Sequence, residues 1–217
     1  MAITKFIDNI FAEYTPESCY WAGFISADGS IDCNGTISFE LNNKDITAIQ
    51  SFKKLTGSEH TVSYRESTDA SRIRFNNKAL TESLYYNFGI GVAKTFDLVL
   101  PILPTEMYPH FIRGHFDGDG CFTEFFANRP LASYRVYITS GSLAFLEEEK
   151  FFLQTNDVIT GGSIHKKAKH CWHLQLAVRD STTFLTYIYK DSTPEIRLAR
   201  KYDKYRLIIV DGIRQRR

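Results

Sequence analysis

A twelve-residue pattern occurs twice in this chain, and it constrains the fold more than any other feature. Tyr20-Trp-Ala-Gly-Phe-Ile-Ser-Ala-Asp-Gly-Ser-Ile31 and Phe111-Ile-Arg-Gly-His-Phe-Asp-Gly-Asp-Gly-Cys-Phe122 share one reading: aromatic, x, x, Gly, x, apolar, x, small, Asp, Gly, x, apolar. The aspartates Asp28 and Asp119 are 91 residues apart, which divides a 217-residue chain into two related halves.

The spacing inside the motif has a physical meaning. Gly23 and Ala27 are four apart, as are Gly114 and Gly118, so on a helix each pair makes one smooth stripe. Two such stripes can bring helix backbones unusually close, and these four residues are the expected helix interface. Gly29 and Gly120 suit a left-handed residue just beyond a helix end. Asp28 and Asp119 then lie at helix C-termini, where the dipole disfavours a carboxylate. Bringing the two together opposes ionisation of both unless a cation sits beside them. Paired oxygen ligands with room for water are what Mg²⁺ accepts, and such an ion suits in-line phosphodiester hydrolysis. A calcium loop is excluded: Asp117-Gly-Asp119-Gly begins like one, but Cys121 and Phe122 fill its fifth and sixth positions.

The similarity continues past the motif. In the first half, Ser30–Cys33 and Thr36–Asn42 flank the hairpin signal Asn34-Gly35. A helix over Lys44–Leu55 follows, then strands over Thr61–Arg65 and Ser71–Phe75 and a helix over Asn77–Phe88. The second half repeats the order with strands Cys121–Phe126 and Tyr134–Thr139, helix Ser142–Thr155, strands Gly162–Lys167 and Cys171–Val178, and helix Ser181–Tyr189. The fold class expected is α+β: two pseudo-symmetric αββαββα halves, residues 1–97 and 110–217, joined by a linker over 98–109. A basic helix over Pro194–Val210 ends the second half.

Composition narrows the class further. At 43% hydrophobic and 14% aromatic the chain can build a packed core and does not read as disordered. Its N-terminus lacks the pattern of a secretory signal, and its best apolar run, Leu98–Leu103, is interrupted by Pro101. Cys19, Cys33, Cys121 and Cys171 are scattered without a CxxC pair, which argues against a zinc ribbon or a disulfide framework and for an intracellular setting. A net charge of +1 does not by itself suggest nucleic acid, although the stretch from Arg197 onward is strongly basic.

The two dodecamers resemble the paired signature motifs of the LAGLIDADG homing endonucleases, and the element order extends the likeness over nearly the whole chain. The resemblance implies a monomeric pseudo-dimer with the motif helices between its halves and two saddle-shaped sheets lying along double-stranded DNA, with no protein partner required and no membrane. It implies cutting of both strands at a long asymmetric site, leaving 3′ overhangs, with Mg²⁺ as cofactor, Mn²⁺ as a substitute, and Ca²⁺ bound without supporting cleavage. The family's metal-binding acids fall on Asp28 and Asp119, with main-chain oxygens of Ala27 or Gly29 and of Gly118 or Gly120 as further candidate ligands. The basic residue beside each scissile phosphate falls on Lys94 and Lys201, and the polar residue holding active-site water on Asn43 and Ser140. Two departures stand out. Ser26 replaces the acid that the second motif keeps as Asp117, and the lysines lie 66 and 82 residues beyond their aspartates.

Strand parity gives the expected DNA face. If Ile37, Phe39 and Leu41 are buried, then Asp32, Asn34, Thr36, Ser38 and Glu40 point outward, joined by Ser63, Arg65, Arg72 and Arg74. In the second half the outward set is Thr123, Arg135, Tyr137, Thr139, Ser163, His165, Lys167, His173 and Gln175. Such a ribbon fits a major groove, where Arg, Asn and Gln read purine edges. Two other readings remain open from the sequence: an RNA maturase, with intron RNA as partner, and a non-cleaving DNA-binding regulator. Either a prokaryotic or phage-infected cytoplasm or an organelle would suit the chain.

Overall fold

The computed structural model describes residues 9–92, 96–125 and 133–207. In the first half, α1 (Pro16–Asp28) leads into β1 (Gly29–Ile31) and β2 (Thr36–Asn42), then α2 (Ile46–Thr56), β3 (Ser63–Arg65), β4 (Ala70–Asn76) and α3 (Lys78–Phe88). The second half runs α4 (Tyr108–Asp119), β5 (Gly120–Phe125), β6 (Ser133–Ser140), α5 (Leu143–Thr155), β7 (Ser163–Ala168), β8 (Cys171–Gln175) and α6 (Val178–Tyr189), with α7 (Ala199–Tyr205) after it. Each half forms one four-stranded antiparallel sheet, ordered β1-β2-β4-β3 and β5-β6-β8-β7. The α+β class and the αββαββα repeat are those expected, although α4 starts at Tyr108, inside the stretch read as linker.

Local chemistry sets the boundaries. Thr15 caps α1 in a reciprocal capping box with Ser18, and Pro16 supplies a first-turn residue whose missing N–H costs nothing there. Ser142 caps α5 by accepting from the Phe145 amide. Both α1 and α4 are buried all round along their middle, Ser18–Ser26 and His110–Asp117, because each has a sheet on one side and the other motif helix on the opposite side. In the first half the core is aromatic. Phe52 of α2 packs within 4.9–5.5 Å, centroid to centroid, of Trp21, Phe39 and Phe75. Counted from the helix-capping residues Asp45 and Ser142, the equivalent position in α5 is Glu149. It is fully buried, and neither carboxylate oxygen has a hydrogen-bond partner among the described residues.

Three expectations are corrected. Gly29 and Gly120 are not left-handed: both are extended, at φ −87. Glycine is needed there for space, since a Cβ on Gly29 would press on the Ile25 carbonyl and one on Gly120 would enter the Phe116 ring. The expected helix over Pro194–Val210 is broken. Pro194–Ile196 is a single 3-10 turn, Arg197 and Leu198 are extended, and α7 begins at Ala199; positions 208–210 lie outside the described residues. The break is held from outside, because Arg113 donates to the Ile196 carbonyl and Asp117 accepts the Leu198 amide. Finally, Ser38 lies on the outward side of β2 but is 7% exposed, covered between its cross-strand neighbours Ser30 and Arg74. Its hydroxyl is within 2.9 Å of Ser30 Oγ.

Candidate active site

The glycine stripes of α1 and α4 meet. A Cβ on Gly23 would strike the Phe111 carbonyl, and one on Gly114 the Tyr20 carbonyl. Tyr20 and Phe111 hold the same place in the two motifs, so the two contacts are related by a pseudo-two-fold. Farther along, a Cβ on Gly118 would come within 2.5 Å of Ala27 Cβ and 3.4 Å of Asp28 Oδ2. The Asp28 carboxylate therefore stands beside the turn that carries Asp119. Each aspartate is the last residue of its helix, and both are exposed.

Beside Asp119 the structure gives Lys201 a specific place. Lys201 is 6% exposed, and its Nζ donates to the carbonyls of Phe116 (2.7 Å), Asp117 (2.8 Å) and Gly120 (2.5 Å). The ammonium thus covers the negative end of α4. Burial pushes its pKa down to about 8, aided by Arg200 and opposed by the Asp117 and Asp28 carboxylates. It forms one wall of a cavity of about 320 Å³ with Gly118, Gly120, Cys121, Phe122, Arg200 and Lys204.

Behind this wall is a buried polar network that the motif reading missed. Asp117 is 1% exposed and accepts from the Tyr189 hydroxyl (2.6 Å), the Leu198 amide (2.7 Å) and the Tyr20 hydroxyl (3.1 Å). Burial raises its pKa, against Lys201 and these donors. Arg113, also fully buried, donates to the carbonyls of Ile188 and Ile196 and to His110 Nδ1. Burial, then the Arg113 charge, pushes His110 down to about 4, so its neutral ring can accept. One signal was available: Arg113 and Asp117 are charged residues on a helix whose neighbours are apolar. At the matching place in α1, Ser26 donates only to its own helix, at the Gly23 carbonyl. A second missed link joins the halves: Arg200 Nε donates to both oxygens of the buried Asp45, at the start of α2.

Lys94 lies outside the described residues. Asn43 opens the 3-10 turn after β2 and Ser140 ends β6, and both serve local structure: Asn43 Oδ1 accepts from the Ser71 hydroxyl, and buried Ser140 Oγ accepts from the Ser142 amide. The outward faces assemble largely as parity requires. Cross-strand register aligns Ser63, Arg72 and Glu40, and it aligns Thr123 with Arg135, Tyr137 with Gln175 and Ser163, and Thr139 with His173 and His165. Arg65, Arg74 and Lys167 are exposed, and Arg65 pairs with Glu40 at 3.2 Å. Asp32 is committed to its turn, where its Oδ1 accepts from the amides of Asn34 and Thr36. Asn34 sits in that turn and its carbonyl accepts from Asn76, while Thr36 opens β2.

The side-chain donors where α1 and α4 end are the oxygens of two exposed carboxylates, whereas the Gly120 carbonyl, a candidate ligand by sequence, accepts from Lys201 instead. That set fits a hard divalent cation and no soft one. Among the described residues no group of three or more His, Cys, Asp or Glu, His165, His170 and His173 included, is placed to hold a metal ion. No helix is long and apolar enough to cross a membrane among those residues.

The fold matches solved structures along most of its length. The I-LtrWI LAGLIDADG homing endonuclease bound to target DNA superposes with a TM-score of 0.57 at 11% identity, covering 91% of each chain. I-SmaMI bound to uncleaved DNA target in the presence of calcium ions gives 0.56 at 12% identity, covering 92% of each. Full-length DUF199/WhiA from Thermatoga maritima gives 0.56 at 19% identity, over 91% of this chain and 61% of that one. At these identities the likeness establishes the fold. No curated protein sequence matches the chain. The profile of the LAGLIDADG-like domain matches residues 106–217, just over half of the chain and the whole of its second motif. By this match, its duplicated motif and its two-sheet architecture, the chain belongs to the LAGLIDADG family.

Proposed function

We propose that the chain is a site-specific endonuclease that cuts both strands of a long asymmetric DNA site by metal-dependent phosphodiester hydrolysis, leaving 3′ overhangs. The observation that carries this reading is the pairing of Asp28 and Asp119. Two exposed carboxylates end two helices whose backbones touch, an arrangement that packing alone does not require. The DNA-bound structures similar to this chain support the choice of double-stranded DNA as partner.

Asp28 and Asp119 would hold Mg²⁺, with carbonyls at Ala27 or Gly29 and at Gly118 as neighbours. When bound, the ion supplies charge neutralisation and an acidified water. Lys201 keeps a positive charge beside Asp119, where a phosphate must come. The outward faces of the two sheets, carrying Arg72, Arg74, Arg135, His165, Lys167 and Gln175, would lie along the duplex and read it.

The test is selection of cleaved sequences from a genomic or randomised DNA pool with Mg²⁺, then the variants Asp28→Asn and Asp119→Asn on the selected site. Each variant is expected to lose double-strand cutting while keeping DNA affinity, a loss of several kcal/mol of transition-state stabilisation. Mn²⁺ should restore cutting where Mg²⁺ is withheld, and Ca²⁺ should support binding only. Full cutting by either variant would overturn the reading. Tight binding without cutting by the parent chain would point instead to a non-cleaving regulator, and preference for a structured intron RNA to a maturase.

A further inference from the structure

Asp117 and Lys201 attach α7 to α4 at two points. On one side, the Asp117 carboxylate accepts the amide of Leu198, the residue that caps α7. On the other, three residues later, Lys201 Nζ lies on the carbonyls of Phe116, Asp117 and Gly120. The Leu198 carbonyl accepts from the Lys201 amide, so the caught residue and the lysine belong to one turn. Among the described residues, nothing comparable occurs at the matching place in α1. Ser26 reaches only the Gly23 carbonyl of its own helix.

We propose that Asp117 is a positioning residue for one of the two centres. By holding the Leu198 amide it fixes α7, and with it Lys201, against the turn of α4 that carries Asp119. Because Ser26 offers no such hold, the two centres differ, and loss of Asp117 should fall on one DNA strand. The strand claim rests on the endonuclease reading; the fixing of Lys201 does not.

Two experiments on the full chain separate these. In the first, metal-free and DNA-free protein is treated with an amine-acetylating reagent, and each lysine is followed by mass spectrometry. Lys201 should be protected in the parent, while Lys167, exposed on β7, serves as a labelled reference. In Asp117→Leu, which offers the Leu198 amide no acceptor, Lys201 should label about tenfold faster or more, with the lysines outside α7 unchanged. Leu198→Pro reaches the same hydrogen bond from its other partner. It removes the N–H, keeps an apolar side chain and suits a φ of −84. Continued protection of Lys201 in both variants overturns the proposal. So does a rise across all lysines together, because Asp117 would then hold the fold and not the lysine.

In the second experiment, a duplex carrying the selected site is labelled on each strand in turn. Asp117→Leu should slow the strand that Lys201→Met slows, by about tenfold, and the other by less than about twofold. On the affected strand the double variant should be no slower than Lys201→Met alone. Equal slowing of both strands overturns the strand claim. If the parent cuts no DNA, the endonuclease reading falls, while the acetylation result still decides whether Asp117 places Lys201.

Discussion

At Gly114 a single hydrogen atom in place of a methyl group sets how closely α1 and α4 approach. A Cβ there would overlap the Tyr20 carbonyl, and that atom is main chain, so it can yield only by moving a helix. Gly114→Ala should therefore cost about 1–3 kcal/mol or more, measured as a lower Tm with the fold otherwise intact. Asp119→Asn is the contrasting case. It removes a charge from the negative end of a helix beside Asp28, so its metal-free melt should lie at or above the parent's. A Gly114→Ala variant that melts like the parent would mean that the helices do not touch as described. These interface glycines were legible in the sequence because they repeat. The role of Gly29 and Gly120 was not, because glycine after a helix suggests a left-handed cap. The real reason, the Ile25 carbonyl and the Phe116 ring, is a matter of three-dimensional neighbours.

Strands and helices followed from periodicity wherever an element's own residues decide its limits. Alternation placed β2 over Thr36–Asn42, as found, and Ser142 marked the start of α5. The segment after Pro194 resisted the same treatment. Its break at Arg197 and Leu198 is dictated by Arg113 and Asp117, more than eighty residues earlier. In α5, Glu149 is fully buried. Where α2 buries Phe52 among aromatic rings, α5 buries a carboxyl, and burial raises its pKa from 4.5 to about 8. The folded chain thus keeps a proton that the unfolded chain has lost. Stability is full below about 4.5 and is lost as pH rises through about 8. Glu149→Leu should flatten this slope and raise the Tm most near the alkaline end. Melts of both proteins across the window will check it, and an unchanged difference between them at every pH would refute the assignment.

Across the whole molecule, the outward sheet faces should give DNA binding that weakens steeply with salt. Arg74→Ala, at an exposed position on the first face, should lower the log–log slope by about one unit if that side chain meets a phosphate. A slope unaltered by changes on either sheet would leave those faces with no part in binding. Between the halves, Arg200 and Asp45 form a partly exposed pair, and Asp45→Ala should cost on the order of 1 kcal/mol, read from denaturant unfolding. The interface has one further property. Its glycine contacts are self-complementary: Gly23 meets Phe111 as Gly114 meets Tyr20, so by sterics alone either half could pair with a copy of itself. The Tyr20–Asp117 hydrogen bond breaks that equivalence. Two copies of the first half would face Tyr20 with Ser26, and two copies of the second would leave Asp117 opposite Phe111, one donor short in a buried place. Severed in the linker and mixed, the fragments should therefore sort into mixed pairs and not into two kinds of twin. A duplicated gene that first encoded identical halves would have become committed to its fused form once that single hydroxyl and carboxylate diverged.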